Sequence, residues 1–211
     1  MNDATAQEYP ELRAALHAQP VPEVPALEPR TAAPDTVTLE DLVAAEALSV
    51  HEAPPTVAVG TGDTPMVCAK DIRLGRPASR FGNAGVAGAV RVCPGDVAVV
   101  MGTDSGVRVC IEDGVLLGPG IQLVRGASHI VDPNFLAGVL RAAVDSGPVD
   151  LYRVAIPRIP LAEQQRMGVA FRQLAELDTA WQLRRASIEQ LVRTGMRGLA
   201  QGGLRPATAG E

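Results

Sequence analysis

The sequence predicts an α+β chain: a compact, mostly antiparallel, twisted β-sheet domain followed by one long helix that forms coiled coils. Two contrasts along the 211 residues carry this expectation. Between residues 56 and 131, short β-branched runs alternate with Gly, Pro and Asp, as strands joined by tight turns do. From Leu161 to Ala200 there is no proline, and apolar residues recur at three- and four-residue spacing. No strand–helix–strand alternation is present, which argues against a parallel dinucleotide-binding sheet.

The elements run in order along the chain. Residues 18–36, AQPVPEVPALEPRTAAPDT, carry five prolines and few large apolar groups. Residues 1–36 are therefore expected to be a disordered acidic, proline-rich segment, with at most a helical turn over 8–17. In TLEDLVAAEAL, 38–48, Thr38 suits an N-cap, acids come next, and Leu39, Leu42 and Val43 recur at helical spacing. The domain is placed over 37–156. Its strand candidates are TVAVG, PMVCAKDI, AVRVC, DVAVVMG, VRVCIEDG, VLLG and IQLVRG. Cys93-Pro94-Gly95-Asp96 reads as a tight turn with Gly where positive φ costs nothing. In VDPNFLAGVLRAAVDSG, Asp132 caps a helix, Pro133 suits its first position, and Phe135, Leu136, Val139, Leu140 and Ala143 form its apolar stripe. LYRVAI is a last short strand, and Pro157 and Pro160 stiffen the segment that leads into the long helix. That helix, with its proline-bearing start, occupies 157–201, and 202–211 is a flexible tail.

The long helix has a heptad. Met167, Leu174, Trp181 and Ile188 are seven apart, as are Ala170, Leu177, Arg184 and Leu191, and only Arg184 is not apolar. At about 1.5 Å per residue the helix is roughly 60 Å long, more than a small sheet domain covers. Met167, Leu174, Leu177, Trp181, Ile188 and Leu191 are therefore the candidate partner-binding residues. Arg184 disfavours a symmetric homodimer, so an antiparallel or heteromeric pairing is expected.

Net charge is −5, which gives no global footprint for nucleic acid, but the charge is uneven. Residues 1–55 hold ten acids against two Arg, residues 56–160 ten Lys/Arg against nine acids, and residues 161–211 seven Arg against five acids. KDIRLGRPASRFGNAGVAGAVR, 70–91, sets five cations against Asp71. Its four glycines suggest a long pliant loop, and arginine there can fork to guanine edges or to phosphates, although on charge alone the run reads equally as a solvated face. Lys70, Arg73, Arg76, Arg80, Asn83 and Arg91 are the candidate DNA-binding residues. Arg76 and Arg80 flank the middle of the loop and suit base reading. Lys70 and Arg73 lie nearer the strand and suit the backbone; Asn83 is of the type that reads adenine, but a turn residue is the better reading of it.

Other chemistry finds little support. GTGDTP and GTDSG lack the spacing of phosphate-binding loops and read as β-turns. Cys68, Cys93 and Cys110 are widely spaced, without CxxC, and are expected to be buried free thiols. No metal site, no cofactor and no catalytic set is expected, so the chain is read as not an enzyme. No window has eighteen uninterrupted apolar residues, and MNDATAQEYPEL is the opposite of a secretory signal. Cytoplasmic localisation, with no membrane partner, is expected as a default.

Four stretches in order resemble one family. TLEDL is similar to the opening motif of the target recognition domains in type I restriction–modification specificity subunits. MVCAKDIRLG looks like their strand leading into a basic loop, and VCPGDVAVVMG resembles their turn and strand. VDPNFLAGVL, then VAIPRIPLAEQQRM, is similar to the helix and the proline-stiffened start of the spacer helix, and is the most specific of the four. The resemblance covers roughly residues 37–200. It implies one recognition domain and one spacer helix where the family usually has two of each. It also implies a non-catalytic half-subunit for defence, directing a DNA adenine methyltransferase and restriction complex to its target. The implied partners are double-stranded DNA, the methyltransferase (modification) subunit, and a second specificity half or a second copy through the long helix. The stiff Pro157–Pro160 segment would then aim that helix. The alternative, favoured by the overall negative charge, is a non-catalytic interaction scaffold derived from such a domain, with DNA reading lost.

Overall fold

The structure is a computed structural model, which describes residues 3–60, 62–102 and 104–207. In chain order it contains α1 (Asp3–Ala18), β1 (Thr36–Thr38), α2 (Leu39–Ala44), β2 (Leu48–Glu52), β3 (Thr64–Val67), α3 (Ala69–Arg73) and β4 (Arg80–Gly82). Next come β5 (Val97–Val100), β6 (Gly106–Val109), β7 (Leu116–Leu117), β8 (Gln122–Gly126), α4 (Pro133–Asp145), β9 (Ala155–Pro157) and α5 (Leu161–Ala200). The chain divides into two compact units: residues 28–172, and residues 1–27 together with 173–211. The domain limits expected from sequence, 37–156, fall inside the first.

In the first unit, β2, β8, β5 and β6 form an antiparallel sheet in that order. The alternation along β5 builds two cores, one on each face. Val97 and Val99 join Leu39 of α2 and Phe135, Leu136 and Leu140 of α4. Ala98 and Val100 face the other way, into a core with Val57, Met66, Val67, Ile72, Leu116 and Leu117. A strand covered on both sides reads as an unbroken apolar run, which is why VAVV has no polar face. The second core is closed by a smaller sheet, β4-β3-β7, in which β3 and β7 run parallel with Met66 opposite Leu116. A two-stranded ribbon pairs β1 with β9, Thr36 opposite Pro157, and so ties the start of the domain to its end.

The local signals act as their chemistry requires. Thr38 Oγ1 accepts from the Asp41 amide at 3.1 Å, and Asp41 accepts from the Thr38 amide at 3.1 Å, a complete capping box on α2. Asp132 accepts from the Phe135 amide at 2.8 Å and Pro133 takes the first turn of α4. Gly95 has φ of +91° in the Cys93–Asp96 turn.

Several runs expected as strands differ. TVAVG comes after two prolines, and the ring-fixed φ of Pro55 opens a 3-10 turn over Pro55–Ala58. AVRVC contributes an isolated bridge between Arg91 and Leu116. LYR of the last run is a 3-10 turn, and β9 begins only at Ala155. PMVCAKDI divides into β3 and α3 because Asp71 caps backwards onto Cys68, accepting from its amide at 3.0 Å.

The first turns of α5 dock on α4 within this unit. Gln164 is buried; its Nε2 donates to the Ile159 carbonyl at 3.1 Å and its Oε1 accepts from the Asp132 amide at 3.1 Å. Gly168 lies so close to the α4 cap that an added Cβ would sit 2.2 Å from Asp132 Oδ1. The Phe171 ring lies over Gly138, where a Cβ would fall 2.1 Å away, and its centroid is 6.4 Å from that of Phe135. Glu163 pairs with Arg30.

In the second unit, α1 runs antiparallel to the later turns of α5. Gln19 donates to Ser187 Oγ at 2.7 Å, Gln190 donates to Glu8 at 3.5 Å, and the Tyr9 ring lies against Gly195. This corrects the disorder expected over 1–36 for its first half: Tyr9, Leu12 and Leu16 are half-buried, so the helix has an apolar face with something to cover it. Residues 19–35 carry no helix or strand. Gly202, at φ +72°, ends α5, and the Leu204 amide turns back to the Gly198 carbonyl at 3.0 Å. Residues 208–211 of the expected tail lie outside the described residues. No helix among the described residues is long and apolar enough to cross a membrane.

Candidate nucleic-acid interface

The basic stretch is organised by its one acid. Asp71 is 0% exposed. Its Oδ2 accepts from the Cys68 amide at 3.0 Å, the Cys68 thiol at 3.0 Å and the Ser79 amide at 3.2 Å. Its Oδ1 accepts from Arg76 Nε at 2.7 Å. Burial alone would raise its pKa, but the bonds from Cys68, Ser79 and Arg76 outweigh it and hold the carboxyl well below the usual carboxylate range. The segment from Cys68 to Arg80 is therefore a folded excursion wrapped around a buried carboxylate, and the long pliant loop expected from its glycines is corrected to that extent.

Lys70 and Arg73 lie on α3 and are exposed. The Arg73 stem lies along β6, where a Cβ on Gly106 would come 3.1 Å from its Cγ. Arg76 is fixed from two sides: Asp71 engages its Nε, and Arg108 Nη1 donates to its carbonyl at 2.7 Å. Its side chain remains 41% exposed. Arg80 is exposed in β4, opposite Met66, next to Phe81, which is 65% exposed. These four cations share one short segment. The other two candidates do not join them in local bonding. Asn83 accepts from the Gly85 amide at 2.9 Å and serves a turn. Arg91 donates to the Gly114 carbonyl at 2.7 Å and braces a different one.

Sequence reasoning missed three residues whose bonds brace the unit of residues 28–172. Arg125 donates from Nε and Nη2 to buried Asp96 at 2.9 and 2.7 Å, and from Nη2 to the Arg91 carbonyl at 2.8 Å. Asp96 also accepts from the Cys93 amide at 2.8 Å, so one carboxylate closes the turn and anchors β8. Arg108 bonds Glu112 at 2.5 Å as well as Arg76. The third is Gln164, on the helix start. None has a periodic signal; the Asp of the turn was the one visible hint. All three cysteines are free, but of the three thiols expected to be buried only Cys110 is: Cys68 is half-buried and Cys93 is exposed. No group of three or more His, Cys, Asp or Glu able to hold a metal occurs among the described residues.

Along α5, Leu174, Trp181 and Ile188 are exposed, Trp181 by 58%, and Leu177 and Leu191 are half-buried. Arg185 stacks over the Trp181 ring at 5.6 Å. Met167 differs: it packs against the first unit's own core.

No family model matches the chain, and no curated protein does. Solved structures do. A chain in a structure described as the structural basis of complex assembly and conformational transition of the type I R-M system aligns with a TM-score of 0.56 at 18% identity, over 93% of this chain and 52% of that one. The fold is one found in a type I restriction–modification system. The HsdS subunit from Thermoanaerobacter tengcongensis aligns at 0.48 and 19% identity, over 90% of this chain and 52% of that one. The S subunit from M. genitalium aligns at 0.44 and 13% identity, over 91% and 51%. This chain thus spans about half the length of each chain it matches.

Proposed function

We propose that the chain is a sequence-specific DNA-binding specificity half-subunit, non-catalytic itself, that directs a DNA adenine methyltransferase and its restriction complex to their target. The observation that supports this most is the cationic segment on a fold of this kind. Its single acid is buried and spent internally, while Lys70, Arg73 and Arg80 are exposed. An exposed cation cluster with no competing surface acid in the same segment suits a phosphate backbone, whatever the overall charge of −5. Leu174, Leu177, Trp181, Ile188 and Leu191 are the residues of α5 for docking the methyltransferase subunit or a second specificity half. The test is a gel shift of the chain on random-sequence duplex at low salt, repeated with a type I methyltransferase subunit added. Retardation of the duplex, strengthened by that subunit, is the expected result. Stable pairing with the subunit and no retardation in either arm would leave only the interaction scaffold.

A further inference from the structure

We infer that Asp71 is a positioning residue that sets Arg76 to read a base, whereas Lys70, Arg73 and Arg80 hold the DNA backbone. This rests on the proposed DNA-reading role and adds to it a division of labour. Four cations in one segment, three of them exposed and Arg76 half-buried, would ordinarily be interchangeable phosphate contacts. Here one of them is treated differently by the fold.

A long side chain on a surface samples many rotamers, and a two-toothed contact to a base requires one. Arg76 is fixed at three points. Its amide donates to the Asp71 carbonyl at 3.1 Å, its carbonyl accepts from Arg108, and its Nε donates to the Asp71 carboxylate. The Nε bond uses one edge of the guanidinium and leaves the two terminal nitrogens, the pair that forks to guanine O6 and N7. The carboxylate cannot drift, because the Cys68 and Ser79 amides hold its other oxygen. Its low pKa keeps it charged, so the ion pair persists at neutral pH. Arg76 is thus an oriented fork whose conformational entropy is already spent, and a guanine-containing edge in the major groove is the ligand it fits. Backbone contacts need charge without fixed direction, and exposed Lys70, Arg73 and Arg80 supply that.

The experiment uses the full chain and a randomised duplex pool with fixed ends, selected at low salt. Binding to the enriched duplex is then compared with binding to an unselected one. Arg76→Ala should lower the preference for the enriched duplex roughly 5- to 150-fold and leave unselected binding nearly unchanged. Asp71→Asn should lower the preference by a comparable factor, and in the double variant the two losses should not add. Arg76→Lys keeps the charge and leaves Asp71 in place, so it tests orientation without emptying the buried site; it should lose the same preference. If Asp71→Asn weakens both duplexes equally and its effect adds to that of Arg76→Ala, Asp71 is a purely structural residue. Retained preference in Arg76→Lys also overturns the assignment. No enrichment by the unaltered chain overturns the DNA-reading role itself, a separate failure visible before any variant is made.

Discussion

Gln164→Ala should destabilise the unit of residues 28–172 by about 2–3 kcal/mol. The substitution removes two hydrogen bonds, each contributing on the order of 1 kcal/mol net, and leaves the half-buried Asp132 amide without its acceptor, a further cost of about 1 kcal/mol. For a domain of this size that corresponds to roughly 5–10 °C in the thermal midpoint. The orientation of the amide is settled by its neighbours, since a backbone N–H faces one atom and a carbonyl the other. Gln164→Glu is therefore the sharper variant. It keeps an acceptor for Asp132 but sets carboxylate oxygen against the Ile159 carbonyl, and should cost at least as much as Ala. Urea unfolding monitored by circular dichroism measures both. Values within about 0.5 kcal/mol of the unaltered chain, typical of a surface change, would refute the clasp.

The same geometry sets three further outcomes. The folded-state pKa of Asp71 lies below its ordinary 3.8, so its contribution to stability is complete above that value and disappears as pH falls through the lowered one; Asp71→Asn should flatten the fall in stability below about pH 4 in an acid titration, and an unchanged slope there counts against the pairing. Exposed Cys93 should label rapidly with a thiol reagent at pH 8, while Cys110, buried and pushed up to about 11 chiefly by that burial, should label only on unfolding; equal rates for the two would contradict their placement. Leu174→Glu with Leu177→Glu should abolish any self-association seen by size exclusion and any capture of a methyltransferase subunit, because exposed Leu174 and half-buried Leu177 lie on the heptad seam; unchanged mass and capture would show that pairing uses another face.

What the sequence made legible was local. Thr38 with Asp41, Asp132 with Pro133, and Gly95 in its turn each act within three residues, so their chemistry is written in adjacent letters. The period of α5 was equally plain. What escaped were choices made by partners far away in the chain. Arg125 and Asp96 are 29 residues apart, Arg108 and Arg76 are 32 apart, and no spacing rule joins them. The glycines of 70–91 suggested pliancy, because composition reports freedom in the unfolded chain and says nothing of a carboxylate that gathers the turn. α1 was legible only as a helical turn for a related reason: its own pattern is weak, and its Tyr9 ring packs against Gly195, far along the chain.

The most direct measurement is the affinity of the chain for double-stranded DNA over a salt series, for the unaltered protein and for Lys70→Ala, Arg73→Ala and Arg80→Ala singly and together. Removing one phosphate-binding cation should lower the slope of log affinity against log salt by about 0.9, so the triple variant should fall by roughly 2.7 in all. Circular dichroism should be unchanged, since all three side chains are exposed. A slope unaffected by the three substitutions, or no duplex binding at low salt even with a methyltransferase subunit present, would contradict the proposal that this surface holds DNA.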